Sequence, residues 1–509
     1  MSIFENLALG FSVALTTKSL SYCFVGVTLG TLVGVLPGLG TLAAIAMLLP
    51  LTFQLDPATA LIMLAGIYYG VAYGGSTASI LLNLPGTPNT AVTALDGYPM
   101  TKAGRAGVAL FMTTIASFFG SVVGIIALAV GAPLLANVAL NFGSPEYFSL
   151  LIMGLLAAAL LSSGRPFRAV GMVVIGLLIG TVGMDSTSGY ARYSFDIPEL
   201  FNGFNLVAVV IGLFGLPEVI HNAGKIKSSI VNAQDVTLRS MIPTRDDWRR
   251  SFGPMVRGTG IGGFFGALPG TGGTVATFVS YAVERKINKD PSRFGKGAIE
   301  GIAGPESANN AAIQTAFIPT LTLGIPGDVV MALILATLII HGIQPGPAMI
   351  PEHPELFWGL AASFLVGNVM LLALNIPMIG IWVRMVTIPY KYLFPIITVL
   401  VCIGVYSISN STFDVWMVVL FALLGYAFRL LKCEPAPLLL GFILGPMLEE
   451  HLRRAMLIAR GDATVFVTRP LSAIFLGICI ALVALMLWSG HKQRRLLKAR
   501  RLAELQGET

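Results

Sequence analysis

The chain has 509 residues, 55% of them hydrophobic and only 11% charged, with a formal net charge of +7. A soluble protein of this length needs a charged surface that this composition cannot supply, and apolar runs that are continuous rather than alternating exclude a transmembrane β-barrel. The class is an all-α polytopic membrane protein of roughly 12 transmembrane helices, including broken or hairpin helices. Its basic residues sit in short loops and at the tail, so they read as membrane orientation and not as nucleic-acid binding.

The N-terminal "MSIFENLALG" has neither a basic n-region nor a cleavage site, so it reads as uncleaved. From Ser19 to Leu55 there is no Asp, Glu, Lys or Arg, and the first span starts near Leu20. That run contains "GVLPGLGT", whose Pro37, Gly38 and Gly40 break helices. Backbone left unpaired in hydrocarbon costs several kcal/mol per group, so a break at that depth must be buried in protein or line a wet cavity. Helix N-termini meeting there would turn free N–H groups toward an anion, and Thr41 would add a hydroxyl. The bland alternative makes these glycines packing positions.

Further apolar segments follow at 57–83, 105–131, 145–162, 168–184 and 204–221. The first of them runs into "YYGVAYGGSTASILLNLPGTPNTAVTAL", where Tyr69, Tyr73, Ser76, Thr77, Asn83, Thr87 and Asn89 surround a second Pro-Gly break at Gly86. Asn and hydroxyl side chains in a span either join neighbouring helices or hold a ligand. A basic connector from His221 to Arg257 reads as cytoplasmic. Beyond it, "GALPGTGG" repeats the first break with Pro269, Gly270, Thr271, Gly272 and Thr274. "GPESANNAAIQTAFIPTLTLGIPGD" then carries Glu306, Asn309, Asn310, Gln314, Gly327 and Asp328. Glu306 and Asp328 are the intramembrane carboxylates suited to a coupling ion, Na⁺ or H⁺, and no other cofactor is expected. His341 reads as a helix cap near the interface.

"GVLPGLG" and "GALPGTG", then "LNLPGTP" and "LGIPGDV", recur in the same order, which points to a duplication. After the first hairpin segment comes "TFQLDP", without a basic residue; after the second comes the basic "ERKINKDPSRFGKG". If basic loops face the cytoplasm, the two repeats have inverted topology. The domains read as a first membrane repeat (1–221), a connector (222–257), a second repeat (258–450), and a final span with a cytoplasmic tail "HKQRRLLKARR" (451–509). Cys23, Cys402, Cys433 and Cys479 have no metal-ligand spacing, and no Walker A, HExxH or GxSxG motif occurs, so the chain does not read as an enzyme.

At these breaks the sequence resembles the large membrane subunit of the tripartite tricarboxylate transporters, the TctA family. "GVLPGLGT", "YGGSTASILLNLPGTP", "ALDGYPM", "FGKGAIEG", "GPESANNAA", "FIPTLTLGIPGD" and "IHGIQPGP" carry the resemblance in order. It implies a permease for di- or tricarboxylates, driven by a Na⁺ or H⁺ gradient in the bacterial inner membrane. Its implied partners are a small four-helix membrane subunit and a periplasmic solute-binding protein that delivers substrate. The family's signature positions map onto Pro37, Gly38 and Gly40, onto Ser76 to Pro88, onto Asn309 and Asn310, and onto Pro326 to Asp328. An organic-anion channel is the alternative that the same helix termini would serve.

Overall fold

The computed structural model describes residues 3–36, 40–162, 166–185, 188–223, 237–268, 272–386 and 390–505. The chain opens with α1 (Ile3–Ala14), α2 (Thr17–Val35), α3 (Gly40–Leu48), α4 (Pro57–Leu82), α5 (Ala91–Lys102) and α6 (Ala106–Ala139). Then come α7 (Ser144–Leu161), α8 (Pro166–Gly180), α9 (Leu206–Val210) and α10 (Leu216–Ala223). The second half has α11 (Arg245–Gly266), α12 (Gly272–Ile287), α13 (Glu300–Thr315), α14 (Phe317–Leu323), α15 (Val329–Ile340), α16 (Met349–Glu352) and α17 (Pro354–Asn375). It ends with α18 (Ile379–Val386), α19 (Tyr390–Ser409), α20 (Thr412–Leu430), α21 (Ala436–Ile458), α22 (Val465–Thr468) and α23 (Pro470–Leu505). Six helices among the described residues are long and apolar enough to cross a membrane, and six shorter apolar helices of 10–17 residues accompany them. The all-α polytopic expectation holds; the strand content among the described residues is one short hairpin, Gly183–Met184 against Ala191–Arg192.

Two compact units divide the chain. One contains residues 1–140 and 205–426, the other 141–204 and 427–509. Both halves of the sequence repeat contribute to the first unit. In the second unit α8 and α21 pack at van der Waals contact through Gly176 and Gly441, where a Cβ would lie 2.0 and 2.4 Å from the carbonyl oxygens of Leu438 and Val173.

The first unit is built on two helix pairs of the same design. On α2, Gly26, Gly30 and Gly34 lie against the carbonyls of Met63, Ile67 and Val71 of α4, so a Cβ at Gly30 would be 2.2 Å from the Ile67 oxygen. Chain numbers rise together, so α2 and α4 run parallel. On α11, Gly258, Gly262 and Gly266 lie against the carbonyls of Gly304, Ala308 and Ala312 of α13, again in parallel. Small residues every fourth position let two backbones touch where lipid offers helices no hydrophobic drive to associate. α4 has 94% of its most apolar window buried.

Parallel pairing requires the intervening chain to come back. The start of α2 stands beside the start of α4, where Lys18 pairs with Asp56 at 2.5 Å; residues 40–56 therefore return toward the start of α2, and α3 runs back along it. Asp56 also caps α4, accepting the Thr59 N–H at 3.0 Å. In the second half α12 makes the same return, marked by Arg250–Glu300 at 2.7 Å near the starts of α11 and α13 and by Arg257–Glu284 at 2.7 Å. Each Leu-Pro-Gly break thus lies between a helix and the shorter helix that returns beside it, α2 and α3 in the first half and α11 and α12 in the second. Across the two pairs, α4 and α13 run antiparallel: Ser76 meets Glu306, whereas Tyr69 meets Gln314.

The connector reading needs a correction. Only its first part is a candidate loop, and residues 224–236 lie outside the described residues. From Arg245 the chain is already helical, begun by a capping box between Thr244 and Asp247, with Ser251, Pro254 and Met255 buried. Its basic residues pair with acids of other elements, Arg250 with Glu300 and Arg257 with Glu284, both at 2.7 Å, and its Asp247 pairs with Arg105, also at 2.7 Å.

Asp96 of α5 ties the halves together. Its Oδ1 accepts N–H groups from Gly295, Gly297 and Ala298, each at 2.8 Å, and its Oδ2 accepts the Tyr281 hydroxyl at 3.0 Å. The side chain is fully buried. Asp96→Ala is expected to lower stability by about 3 kcal/mol, because several donors lose a charged acceptor at once. The melting temperature of the purified protein checks this; an unchanged value would mean that water replaces the carboxylate.

Candidate functional site

α13 is buried along its entire length, and its polar side chains meet those of α4, α5 and α6. Glu306 Oε1 accepts hydroxyls from Ser76 at 2.7 Å and Thr93 at 2.5 Å, and Oε2 accepts that of Ser117 at 3.1 Å. Among the described residues, no ion pair neutralises it. One turn on, the Asn310 Nδ2 donates to the Glu306 carbonyl at 3.1 Å. Two turns on, Gln314 Oε1 accepts the Tyr69 hydroxyl at 2.6 Å.

A second cluster forms where the α11–α12 hairpin begins its return. Asn89 Nδ2 donates to Asn309 Oδ1 at 3.0 Å, and the Thr274 hydroxyl donates to Asn89 Oδ1. Gly273 leaves room for this: a Cβ there would lie 2.7 Å from Asn89 Nδ2 and 2.8 Å from Asn309 Oδ1. Gly272, with φ +60°, brings the first turn of α12 against Asp328, 3.1 Å from its Cβ to the position a Cβ would take. Asp328 caps α15, accepting the Met331 N–H at 2.8 Å and the Tyr68 hydroxyl at 3.0 Å. Residues from both second breaks and one hairpin turn therefore converge.

Among the described residues, three buried polar atoms here have no partner: Asn309 Nδ2, Asn310 Oδ1 and Gln314 Nε2. All belong to one helix. Buried polar groups are nearly always satisfied, so a row of orphans marks a place for a ligand or water.

The remaining expected site residues fall into three groups. Pro37, Gly38, Gly270 and Thr271 lie outside the described residues. Gly40, with φ +64°, and Thr41 open α3 and are half-buried. Of the rest, Ser76, Asn309, Asn310, Gly272, Thr274, Glu306 and Asp328 are in the clusters just described. Thr77 is buried on α4. Asn83 is exposed and ends α4 in the left-handed conformation, φ 56°. Thr87 caps the turn Pro88–Thr90. Gly86 and Gly327 are close-packing positions, against Gly75 Cα and Ala316 Cβ. Thr87 and Asp328 nonetheless occupy equivalent places: each follows a Pro-Gly and caps the next helical element.

Sequence reasoning left four participants out of its site: Asn89, Tyr68, Thr93 and Ser117. Asn89 stood in the quoted break and was readable there. Tyr68 and Thr93 also fall within that quoted stretch, whereas Ser117 sits in an unremarkable helical one; only packing brings Thr93 and Ser117 to Glu306.

Outside these clusters, the second unit has a cleft of about 330 Å³ braced by Arg192–Glu449 at 2.8 Å and Arg453–Asp185 at 2.9 Å. In the first unit an apolar crevice of about 340 Å³ lies between α6 and α11, beside Phe119 and Val256.

Many membrane-crossing helices, paired hairpins and a sealed polar interior with unpaired atoms together describe a multi-pass membrane transport protein. The chain belongs to the tripartite tricarboxylate transporter TctA family, whose profile matches residues 20–440. That family is the permease component of a tripartite system, which implies partner subunits, and it is a transporter family and not an enzyme family. The chain is 52% identical over 495 residues to an uncharacterized 52.8 kDa protein in the TAR-I ttuC′ 3′ region of Agrobacterium vitis, spanning 97% of this chain and 98% of that protein. It is 56% identical over 234 residues to an uncharacterized protein in the TAR-II ttuC′ 3′ region of the same organism, 46% of this chain and 97% of that one.

Proposed function

We propose that this permease imports di- or tricarboxylates by secondary, cation-gradient-driven transport, with the anion bound where the α11–α12 hairpin meets Asn89 and α13. The observation that carries this reading is the unpartnered Nδ2 of Asn309, whose side chain lies against the first turn of α12 at Gly273, joined by further unpartnered atoms on Asn310 and Gln314 of the same helix, among the described residues. Carboxylates accept hydrogen bonds, and Asn309 Nδ2, Gln314 Nε2 and the N–H groups opening α12 offer them without a basic residue. Gly40 and Thr41, which open α3, complete the site from the other repeat. A cation at a buried carboxylate, Glu306 or Asp328, offsets the charge of the anion. The antiparallel crossing of α4 and α13 supports an inverted repeat, the arrangement that lets one site face either side in turn. A periplasmic solute-binding protein delivers the substrate, a small four-helix subunit completes the assembly, and the basic tail lies in the cytoplasm of a bacterial inner-membrane protein.

The test is uptake of radiolabelled citrate and shorter dicarboxylates by proteoliposomes holding the three subunits. Accumulation above the outside concentration is expected under an imposed Na⁺ or H⁺ gradient and not after ionophore. Uptake that is indifferent to the ionophore overturns cation coupling.

A further inference from the structure

We infer that Glu306, with the hydroxyls of Ser76, Thr93 and Ser117, is the site of the coupling cation, that the cation is Na⁺, and that Asp328 is not part of it. The inference deepens the permease reading and rests on it for the word coupling.

The two buried carboxylates have different electrostatic surroundings. Asp328 stands at the N-terminus of the 12-residue helix α15, where the dipole already favours a negative charge, and it receives the Met331 N–H and the Tyr68 hydroxyl. A cation placed there would face the positive end of the helix. Glu306 lies in the interior of α13, six residues past its start, with no helix terminus to compensate it. Its side chain is 1% exposed, and among the described residues no Lys, Arg or His pairs with it. Three neutral hydroxyls orient toward the charge without cancelling it. An isolated buried carboxylate costs several kcal/mol unless it is neutralised.

The donor set fits a hard monovalent cation. Two carboxylate oxygens and three hydroxyl oxygens converge from α4, α5, α6 and α13, within 2.5–3.1 Å of one another across each hydrogen bond. All are oxygens, the ligand type that hard cations prefer, and each hydroxyl can turn its lone pair to the ion by rotating its proton away. Ser76 already has a second acceptor for that proton, the Ala72 carbonyl at 3.3 Å. A second, independent observation marks a route: one turn to either side of Ser117, Thr113 and Ser121 of α6 are buried, and among the described residues the Thr113 hydroxyl has no partner. Three hydroxyls spaced by four residues make a polar stripe along an otherwise apolar helix.

The experiment is equilibrium binding of radiolabelled Na⁺ to the full-length protein in nanodiscs, with no carboxylate present and choline as the balancing cation. Saturable binding is expected for the wild type and for Asp328→Asn. Glu306→Gln is expected to abolish it, while Thr93→Val and Ser117→Ala raise the half-saturating Na⁺ concentration roughly tenfold each, the loss of one modest ligand. If Glu306→Gln elutes as aggregate, the Thr93 and Ser117 variants decide the matter. Wild-type binding by Glu306→Gln, loss of binding in Asp328→Asn alone, or no Na⁺ binding by the wild type at any pH would each overturn the assignment. Because no substrate is present, these outcomes are separate from the carboxylate reading: Na⁺ binding with no carboxylate uptake would refute that reading and leave this site standing.

Discussion

Alanine at Gly262 is expected to destabilise the protein by about 3 kcal/mol, the upper end of the cost of overpacking, while alanine at Gly260, two residues away, is expected to be neutral or to stabilise it by about 0.5–1 kcal/mol. The difference is positional. A Cβ at Gly262 would lie 2.1 Å from the carbonyl oxygen of Ala308 and 2.7 Å from its Cα, so backbone and not a flexible side chain stands in the way. Nothing lies within 4 Å of the corresponding point at Gly260. α11 could admit the methyl at Gly262 only by lifting off α13, which carries Glu306, Asn309 and Asn310. Melting of the detergent-solubilised protein, followed by size-exclusion fluorescence, compares the two variants directly. Equal melting temperatures would show that the two helices are not in backbone contact. Gly30→Ala should behave like Gly262→Ala, since its Cβ would be 2.2 Å from the Ile67 oxygen.

The second large effect is expected at Asn309, and it separates a ligand site from packing. Asn309→Ala removes Nδ2, which has no partner among the described residues, together with Oδ1, which accepts from Asn89. A hydrogen bond to a charged group is worth about 1.5–3 kcal/mol, so the carboxylate concentration for half-maximal uptake should rise roughly 10- to 150-fold. Stability should fall by no more than about 1 kcal/mol, because one modest bond is lost while a buried orphan is also removed. Were Asn309 helix glue, the pattern would reverse: melting would fall and the uptake constant would stay. Measuring both quantities on one preparation distinguishes the two roles.

The sequence made the breaks legible, because Pro and Gly have local consequences that need no neighbours. It also made Glu306 and Asp328 legible, since a carboxylate among apolar residues is conspicuous wherever it lies. It could not show that Gly26, Gly30 and Gly34 answer Met63, Ile67 and Val71, because a spacing of four says that a helix has a smooth face and not which helix it meets. For the same reason Thr93 and Ser117 were invisible as partners of Glu306: nothing in their own helices requires them. The misreading of the connector had a readable remedy. Thr244 and Asp247 form a capping box, and the Arg residues beyond it recur on a helix whose acidic partners, Glu284 and Glu300, lie in later elements. Counting basic residues favoured a loop; asking where each charge would find its counterion would have favoured a helix.

The antiparallel crossing of α4 and α13 also bears on how the protein is made. Tyr68, Tyr69 and Ser76 meet Asp328, Gln314 and Glu306 only 260, 245 and 230 residues later in the chain. At a synthesis rate of about 5–20 residues per second, α4 is complete roughly 10–50 s before its partners leave the ribosome. During that interval its hydroxyls face lipid or an insertion factor, and its glycine face has only α2 to hold it. The α2–α4 pair is thus a nascent-chain intermediate whose polar side waits for the rest of the molecule, and the quality-control machinery meets that side first.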